Sequence, residues 1–213
     1  MTCDFSLDHY RDLLVAAREG GYRFAGFDRP PEPGVVILRH DVDLSLDAAV
    51  AVAEVEHEEG AVATYFLMTR SVFYNLASSE GERAIERLRE LGHRIGHHAV
   101  WPHVDLDDRF EKVVAWHNPE PDYMQAEIPD AVNVMRLPFF DPGRYRSDSN
   151  QHWRSGCPHE QLARGALEWV QLLTHPEIWA FQGATMRESM TSFLEADREA
   201  RLEHVRGDRI DLS

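Results

Sequence analysis

Apolar runs alternate with stretches of helical spacing along most of this chain. Residues 35–38 are apolar without alternation, which is typical of a strand covered on both faces in a parallel sheet. Residues 61–67 form a second such run. Between the two runs, Ser45 is a candidate N-cap for a helix that continues to about Glu59. A strand, a helix and a strand with short connections predict a βαβ unit with a right-handed crossover.

The same alternation continues on both sides of this unit. Helical spacing predicts further helices at residues 5–19, 82–91 and 185–205. Further strands are predicted at residues 22–27, 93–98, 112–116, 131–136 and 167–174. This order favours either an α/β barrel or a doubly wound sheet, and periodicity alone does not separate the two. Because no linker or internal repeat interrupts the pattern, residues 1–213 are expected to form one domain.

Charge and cysteine usage narrow the possible partners and compartment. A net charge of −15 argues against nucleic acid, because phosphate binding needs clustered basic residues. Cys3 and Cys157 are too few for a disulfide framework, the first residues do not resemble a signal peptide, and no apolar run is long enough for a membrane span. These features predict a cytoplasmic protein.

The basic residues are unusual in kind. Lys112 is the single lysine, and every other basic residue is an arginine. An acidic surface that is poor in lysine is typical of a halophilic source, where salt screens the repulsion between carboxylates. A GC-rich genome that favours arginine codons is the alternative, and stability measured across a salt series separates the two.

Three clusters of titratable residues lie at the ends of predicted strands. The first contains Asp41 and Asp43, the second contains the adjacent His97 and His98, and the third contains His175. Parallel strands collect their chemistry beyond their carboxyl ends, and carboxylate with imidazole suits zinc. An aspartate at a strand end also commonly caps the next helix, and adjacent histidines on a strand point to opposite faces. The coincidence of three clusters favours a metal site.

The order of these motifs resembles that of a known enzyme family. Asp-x-Asp, then Gly-His-x-Ile-Gly-x-His at residues 92–98, then Leu-Leu-Thr-His-Pro at residues 172–176 is similar to NodB-type polysaccharide deacetylases, carbohydrate esterase family four. Arg-His-Asp-Val-Asp at residues 39–43, and Ser-Asp-Ser at residues 147–149 with a following Trp153, are similar to a divergent subgroup. The resemblance extends from about residue 5 to residue 179.

This resemblance implies a distorted (β/α) barrel with fewer than eight strands and a hydrolase that uses one divalent metal ion, most often zinc, to remove acetyl groups from amino sugars. By its motifs, Asp41 would be the general base, Asp43 and His98 would be metal ligands, and His175 would be the general acid. A bound metal lowers the pKa of its water towards about 7, which suits this chemistry. Asp148 either orients His175 or forms a turn between two serines.

The sequence departs from the family pattern at two places. The position of the second histidine ligand falls on Pro102, so His103, one residue later, is the predicted third ligand. His97, Asp105 and Asp107 are the alternatives. The arginine that usually holds the base is replaced at residues 117–119 by His-Asn-Pro, which leaves Arg39 and Arg136 as candidates. Three tryptophans either stack on sugars or pack in the core: Trp101, Trp153 and Trp179.

The expected function is therefore that of a metal-dependent deacetylase that acts on an N-acetylated sugar or sugar conjugate. One alternative is a barrel metallo-phosphoesterase, which would gather two or three metals and a cationic clamp. The other is a catalytically inactive descendant of the deacetylase fold that binds a sugar.

Overall fold

The computed structural model describes residues 3–207 of the chain. Strands in this range are β1 (Arg23–Ala25), β2 (Val35–Val42), β3 (Thr64–Leu67), β4 (Arg94–Ala99), β5 (Val113–Trp116), β6 (Val132–Asn133), β7 (Tyr145–Ser147) and β8 (Trp169–Thr174). Helices are α1 (Leu7–Glu19), α2 (Leu46–Glu58), α3 (Ser79–Glu90), α4 (Pro121–Met124), α5 (His159–Ala163), α6 (Pro176–Ala180) and α7 (Met186–Gly207).

The strands pair in parallel in the order β6-β5-β4-β3-β2-β8-β7. These seven strands curl into a half-barrel with helices packed outside. The short β1 pairs with the beginning of β2, on the side where β3 pairs with its end. The predicted α/β class and incomplete barrel with fewer than eight strands are confirmed. A doubly wound sheet, which periodicity left open, is not the fold.

Central strand β2 is buried along its whole length and separates two apolar clusters. Val36 and Leu38 pack with the helices on the outer face, whereas Val35 and Ile37 pack inside the half-barrel. The unbroken apolar run therefore has the predicted cause, because each face of the strand meets a core. The same alternation continues into the polar residues that follow and sends them to opposite faces.

Serine caps fix where the first helices begin. The Ser45 hydroxyl accepts the Ala48 N–H at 3.1 Å, which confirms the predicted cap of α2. Ser6 accepts the His9 N–H at 3.1 Å, so α1 begins at Leu7, two residues later than predicted. Within residues 3–207, no helix is both long enough and apolar enough to cross the membrane.

The sequence pattern located the major elements and missed the short ones. Strand β7 and helices α4, α5 and α6 were not predicted, because segments of three to five residues show no period. Strand β6 has two residues where six were predicted. The end of helix α3 was found, but its start at Ser79, behind the Ser78 cap, was not.

Candidate metal centre

The inner face at the end of β2 carries a buried ion pair. Arg39 donates from Nε to Asp41 Oδ1 at 2.8 Å and from Nη2 to Oδ2 at 2.6 Å. Burial by itself would raise the pKa of Asp41, but the charges of Arg39 and His98 outweigh it and hold that pKa below its usual range. Asp41 is therefore an ionised, oriented carboxylate. Of the two candidate arginines, Arg39 is the one that holds it, since Arg136 pairs with Glu127 instead.

Three ligand atoms from three strand ends converge beside this pair. Asp43 Oδ1 lies 3.0 Å from His98 Nε2 and 3.1 Å from His117 Nδ1. The two histidine nitrogens lie 3.1 Å apart. Asp43 follows β2, His98 is in β4, and His117 follows β5, so parallel strands of one sheet deliver all three to one edge of the half-barrel.

The spacing and chemistry of this group fit a divalent metal ion. Ligands around tetrahedral zinc lie about 3.3 Å apart, given zinc–nitrogen and zinc–oxygen bonds near 2.0–2.1 Å. His98 Nδ1 lies 3.0 Å from the Ala115 carbonyl, and donating to it leaves Nε2 free as a ligand. The side chains of Asp43 and His117 are 19% and 29% exposed, so the group is open to solvent. That opening suits a site that must admit water and substrate.

Electrostatics favour the carboxylate form of Asp43. Burial would raise its pKa, but hydrogen bonds with His117 and His98 outweigh burial and hold the pKa well below its usual range. The hydrogen bond with Asp43 raises the pKa of His117. A bound metal ion would replace the contacts among Asp43, His98 and His117 with bonds from each of them to the metal.

Gly96 explains how β4 can place His98 at this point. A Cβ on Gly96 would lie 2.8 Å from side-chain atoms of both Phe66 and Val113, closer than real contacts allow. Gly96 faces the inside of the half-barrel two residues before His98, so the absent side chain leaves room for the core beneath the site. Close packing against Phe66 and Val113 therefore explains the glycine in the Gly-x-His motif at residues 96–98.

His103, the predicted third ligand, lies outside the converging group. It is exposed on the loop after β4, where its N–H donates to the Val100 carbonyl at 2.9 Å. The other candidates have different partners: His97 Nε2 accepts the Asp107 N–H at 2.8 Å, and the Asp105 carboxylate pairs with Arg70. The geometry offers His117 as the third ligand.

His117 was not predicted, because the third ligand was assigned from the spacing between the two histidines of the family motif. The signal that located Asp43 and His175 was also available for His117, since it directly follows the apolar residues of β5. A titratable residue at the carboxyl end of a parallel strand is a site candidate whatever its distance from other motifs.

His175 faces the same cleft and is held from behind by Asp148. Asp148 Oδ1 lies 2.6 Å from His175 Nδ1, and Oδ2 accepts the His175 N–H at 3.0 Å and the Trp179 Nε1–H at 2.7 Å. Burial would lower the pKa of His175, but the Asp148 charge and hydrogen bond outweigh it and raise the pKa to about 10. His175 is therefore an imidazolium at neutral pH, and its Nε2–H is a hydrogen-bond donor.

A cleft of about 490 Å³ opens over these groups, with Asp43, His117, His175 and Glu177 in its lining. Burial raises the pKa of Glu177 to about 8, against the opposing charge of His175. Its Oε2 has no hydrogen-bond partner among residues 3–207. The carboxyl group of Glu177 is therefore neutral at pH 7, and its buried Oε2 lies unused beside the cleft.

All the predicted site residues except His103 therefore lie close together. Asp41, Asp43, His98 and His175 come together at one end of the half-barrel, with Asp148 behind His175.

The three candidate tryptophans differ in exposure. Trp153 and Trp179 are buried in the core, whereas Trp101 is 36% exposed and stacks on Tyr123 with ring centroids 4.6 Å apart. Trp101 alone of the three has a surface suited to stacking on a sugar.

Comparisons with known proteins give little beyond this geometry. No protein-family model matches the chain, and no curated protein matches it. A solved structure similar to it is a peptidoglycan deacetylase of Bdellovibrio bacteriovorus, at 19% sequence identity and a TM-score of 0.37. The match covers 85% of this chain and 54% of that one, so the chain spans about half the length of that structure.

Proposed function

We propose that this chain is a metal-dependent hydrolase that removes acetyl groups from an N-acetylated sugar or sugar conjugate. The observation that carries the proposal is the convergence of Asp43, His98 and His117 within hydrogen-bond distance of one another, beside an ionised Asp41 and a protonated His175. The motif order that resembles NodB-type deacetylases supports the same assignment.

Asp43, His98 and His117 would hold the metal. A divalent cation there, most suitably zinc, supplies Lewis-acid activation of water and of the substrate carbonyl oxygen. Asp41, fixed by Arg39, accepts a proton from the attacking water while the water oxygen bonds to the acetyl carbonyl carbon. The carbon–nitrogen bond then breaks, and His175 donates the proton that the leaving amine requires. Asp148 keeps His175 charged and aimed for this step.

The cleft suits a neutral, hydroxylated substrate. Its lining includes the polar side chains of Asn118, Ser149 and Asn150, which can exchange hydrogen bonds with hydroxyl groups. The net charge of −15 disfavours anionic substrates and favours release of a cationic amine. For this reason a phosphate ester is the weaker candidate, and the described residues at this cleft offer one three-ligand group instead of a two-metal cluster.

Acetate release tests this proposal directly. Purified protein should release acetate from members of a panel of N-acetylated mono- and oligosaccharides, and a chelator should stop it. Asp41→Asn should lower turnover by about 10²–10⁴-fold or more and retain the metal, because only the base is lost. Asp43→Ala should lose both activity and one equivalent of metal relative to wild type.

Asp47→Asn is the matched control, since Asp47 is exposed at the start of α2 and should change neither property. Full activity in Asp41→Asn would show that the mechanism is wrong. A folded wild-type protein that takes up no metal at Asp43 would favour a non-catalytic sugar-binding protein.

A further inference from the structure

A second group of metal-ligand atoms lies on the outer face of the half-barrel, where Cys3 and Cys157 pack against the outer apolar cluster. The Sγ atoms of Cys3 and Cys157 and a ring nitrogen of His9 lie within 4.8 Å of one another. His9 Nε2 lies 3.2 Å from Cys157 Sγ. The three residues come from the amino-terminal segment, the first turn of α1 and the loop before α5. They include both cysteines of the chain.

Hydrogen-bond donors surround the two sulfurs. Cys3 Sγ accepts the Trp153 Nε1–H at 3.4 Å and the backbone N–H of Phe5. Cys157 Sγ accepts the backbone N–H of His159. N–H donors stabilise thiolate over thiol, and such bonds support sulfur ligands in metal sites. Thiolate is the form of cysteine that binds metals, so both sulfurs would bind the ion as thiolates.

The backbone that brings Cys3 to this place is strained and held. Phe5 has φ of 53°, a left-handed conformation that bulky residues rarely adopt. Its ring packs against Trp179 at 5.3 Å and Trp153 at 6.3 Å between centroids. Strained residues persist where the surrounding structure over-determines them. The packing of Phe5 against the two tryptophans therefore fixes the backbone two residues after Cys3.

We propose that Cys3, His9 and Cys157 bind a zinc ion at a second metal site, distinct from the one at Asp43. Two thiolates and an imidazole select zinc over magnesium or calcium, which prefer oxygen ligands. Sulfur and nitrogen ligands of tetrahedral zinc lie about 3.6 Å apart, close to the 3.2 Å between His9 and Cys157. Water or His159, whose ring centroid lies 6.3 Å from that of His9, completes the coordination. Binding releases the thiol protons of Cys3 and Cys157 to solvent.

This site would brace the catalytic end of the barrel from behind. The His9 ring stacks on Trp179, with centroids 6.4 Å apart and planes within 5°. Trp179 in turn donates to Asp148, which holds His175. The zinc ion would therefore tie the amino-terminal segment and the loop before α5 to the residues that position the general acid.

Cobalt substitution tests the second site without any assay of activity. Reduced protein titrated with Co²⁺ should develop the thiolate-to-metal charge-transfer absorption that carboxylate and imidazole ligands cannot give. Cys157→Ser should lose this absorption and one equivalent of bound metal. His117→Ala should lose the metal at Asp43 and keep the absorption, so the two sites fail separately. Absence of the absorption in folded wild-type protein would overturn the proposal.

Alkylation provides a second measurement that needs no variant. Both thiols of zinc-loaded wild-type protein should resist iodoacetamide, and a chelator should make both reactive. Thiols that react at equal rates with and without zinc would overturn the assignment. A Cys3–Cys157 disulfide that forms in air despite bound zinc would also overturn it and would identify the pair as a redox couple instead.

Discussion

Neighbouring residues of β2 serve two very different regions of this molecule. Arg39 and Asp41 point into the half-barrel, where Asp41 lies 3.8 Å from His98 and near the open cleft. His40, between them, points outward to α1 and α2. There Glu56 accepts hydrogen bonds from Tyr10 and Tyr65, each at 2.6 Å, and lies 2.7 Å from His40.

The two regions share residue types and burial and differ in completeness. Both oxygens of Glu56 are engaged by protein, and Glu56 and its partners Tyr10, His40 and Tyr65 are fully buried. On the inner face, ligand atoms crowd together at Asp43, and Glu177 has an oxygen without a partner. A satisfied buried network stabilises one fold, whereas an incomplete one beside a cleft is a place for a ligand. Burial of a charged residue therefore says little about function until its partners are known.

The largest expected effect within this comparison is on stability, at the outer network. Glu56→Gln should lower the free energy of unfolding by about 3–5 kcal/mol, because it removes a buried carboxylate whose neighbours all donate to it. Metal content and turnover per folded molecule should stay unchanged. Chemical denaturation measures the first, and metal analysis with acetate release measures the others.

Glu54→Gln is the matched control for that variant. Glu54 lies on the same helix, is 50% exposed and pairs with Arg87, so its loss should cost less than about 1 kcal/mol. If Glu56→Gln instead removed the metal while leaving stability intact, the outer network would be functional and the comparison would fail.

The next effect concerns the pH dependence of His175. Asp148→Asn places an amide N–H or a neutral oxygen against His175 Nδ1, so the pKa of His175 should fall from about 10 towards its ordinary value. Activity should drop by about 10²–10⁴-fold at neutral pH, and its alkaline limb should move to lower pH. A pH–rate profile of both proteins measures this shift.

The pH dependence of the free energy of unfolding should show the same change in the pKa of His175. Because the pKa of His175 is raised in the folded state, its pairing with Asp148 stabilises the protein fully below about pH 6.5. That contribution is lost as the pH rises through about 10 in wild type and is absent in Asp148→Asn. Asp141→Asn, whose side chain pairs with Arg144 on the surface, is the control that should move neither profile. Identical alkaline profiles for wild type and Asp148→Asn would show that Asp148 does not hold the proton on His175.

The smallest effect is expected at His103. Because its side chain is exposed and lies outside the ligand group, His103→Ala should keep the metal and most of the activity. His117→Ala should lose the metal at Asp43. Elemental analysis of the two variants decides between the histidines, and metal loss in His103→Ala with retention in His117→Ala would restore the spacing-based assignment.

Local pattern was enough for the main architecture. The apolar run before Asp41, the helix behind Ser45 and the run ending at Thr174 each have a period or a cap that depends on near neighbours in the chain. The convergence of Asp43, His98 and His175 followed from one rule, that parallel strands gather their carboxyl ends at one edge. Short elements such as β7 carried no period and were missed.

The sequence by itself determined that strand ends rich in aspartate and histidine meet at one edge of a parallel sheet. Only the tertiary structure decided which histidine is the third member of the group, which arginine holds Asp41, and that Cys3 meets Cys157. The physical reason is that strand position is set by hydrogen-bonding and hydrophobic periods that repeat along the chain. The path of a loop, such as the one that carries His103 away and leaves His117 beside Asp43, is set by contacts between residues far apart in sequence.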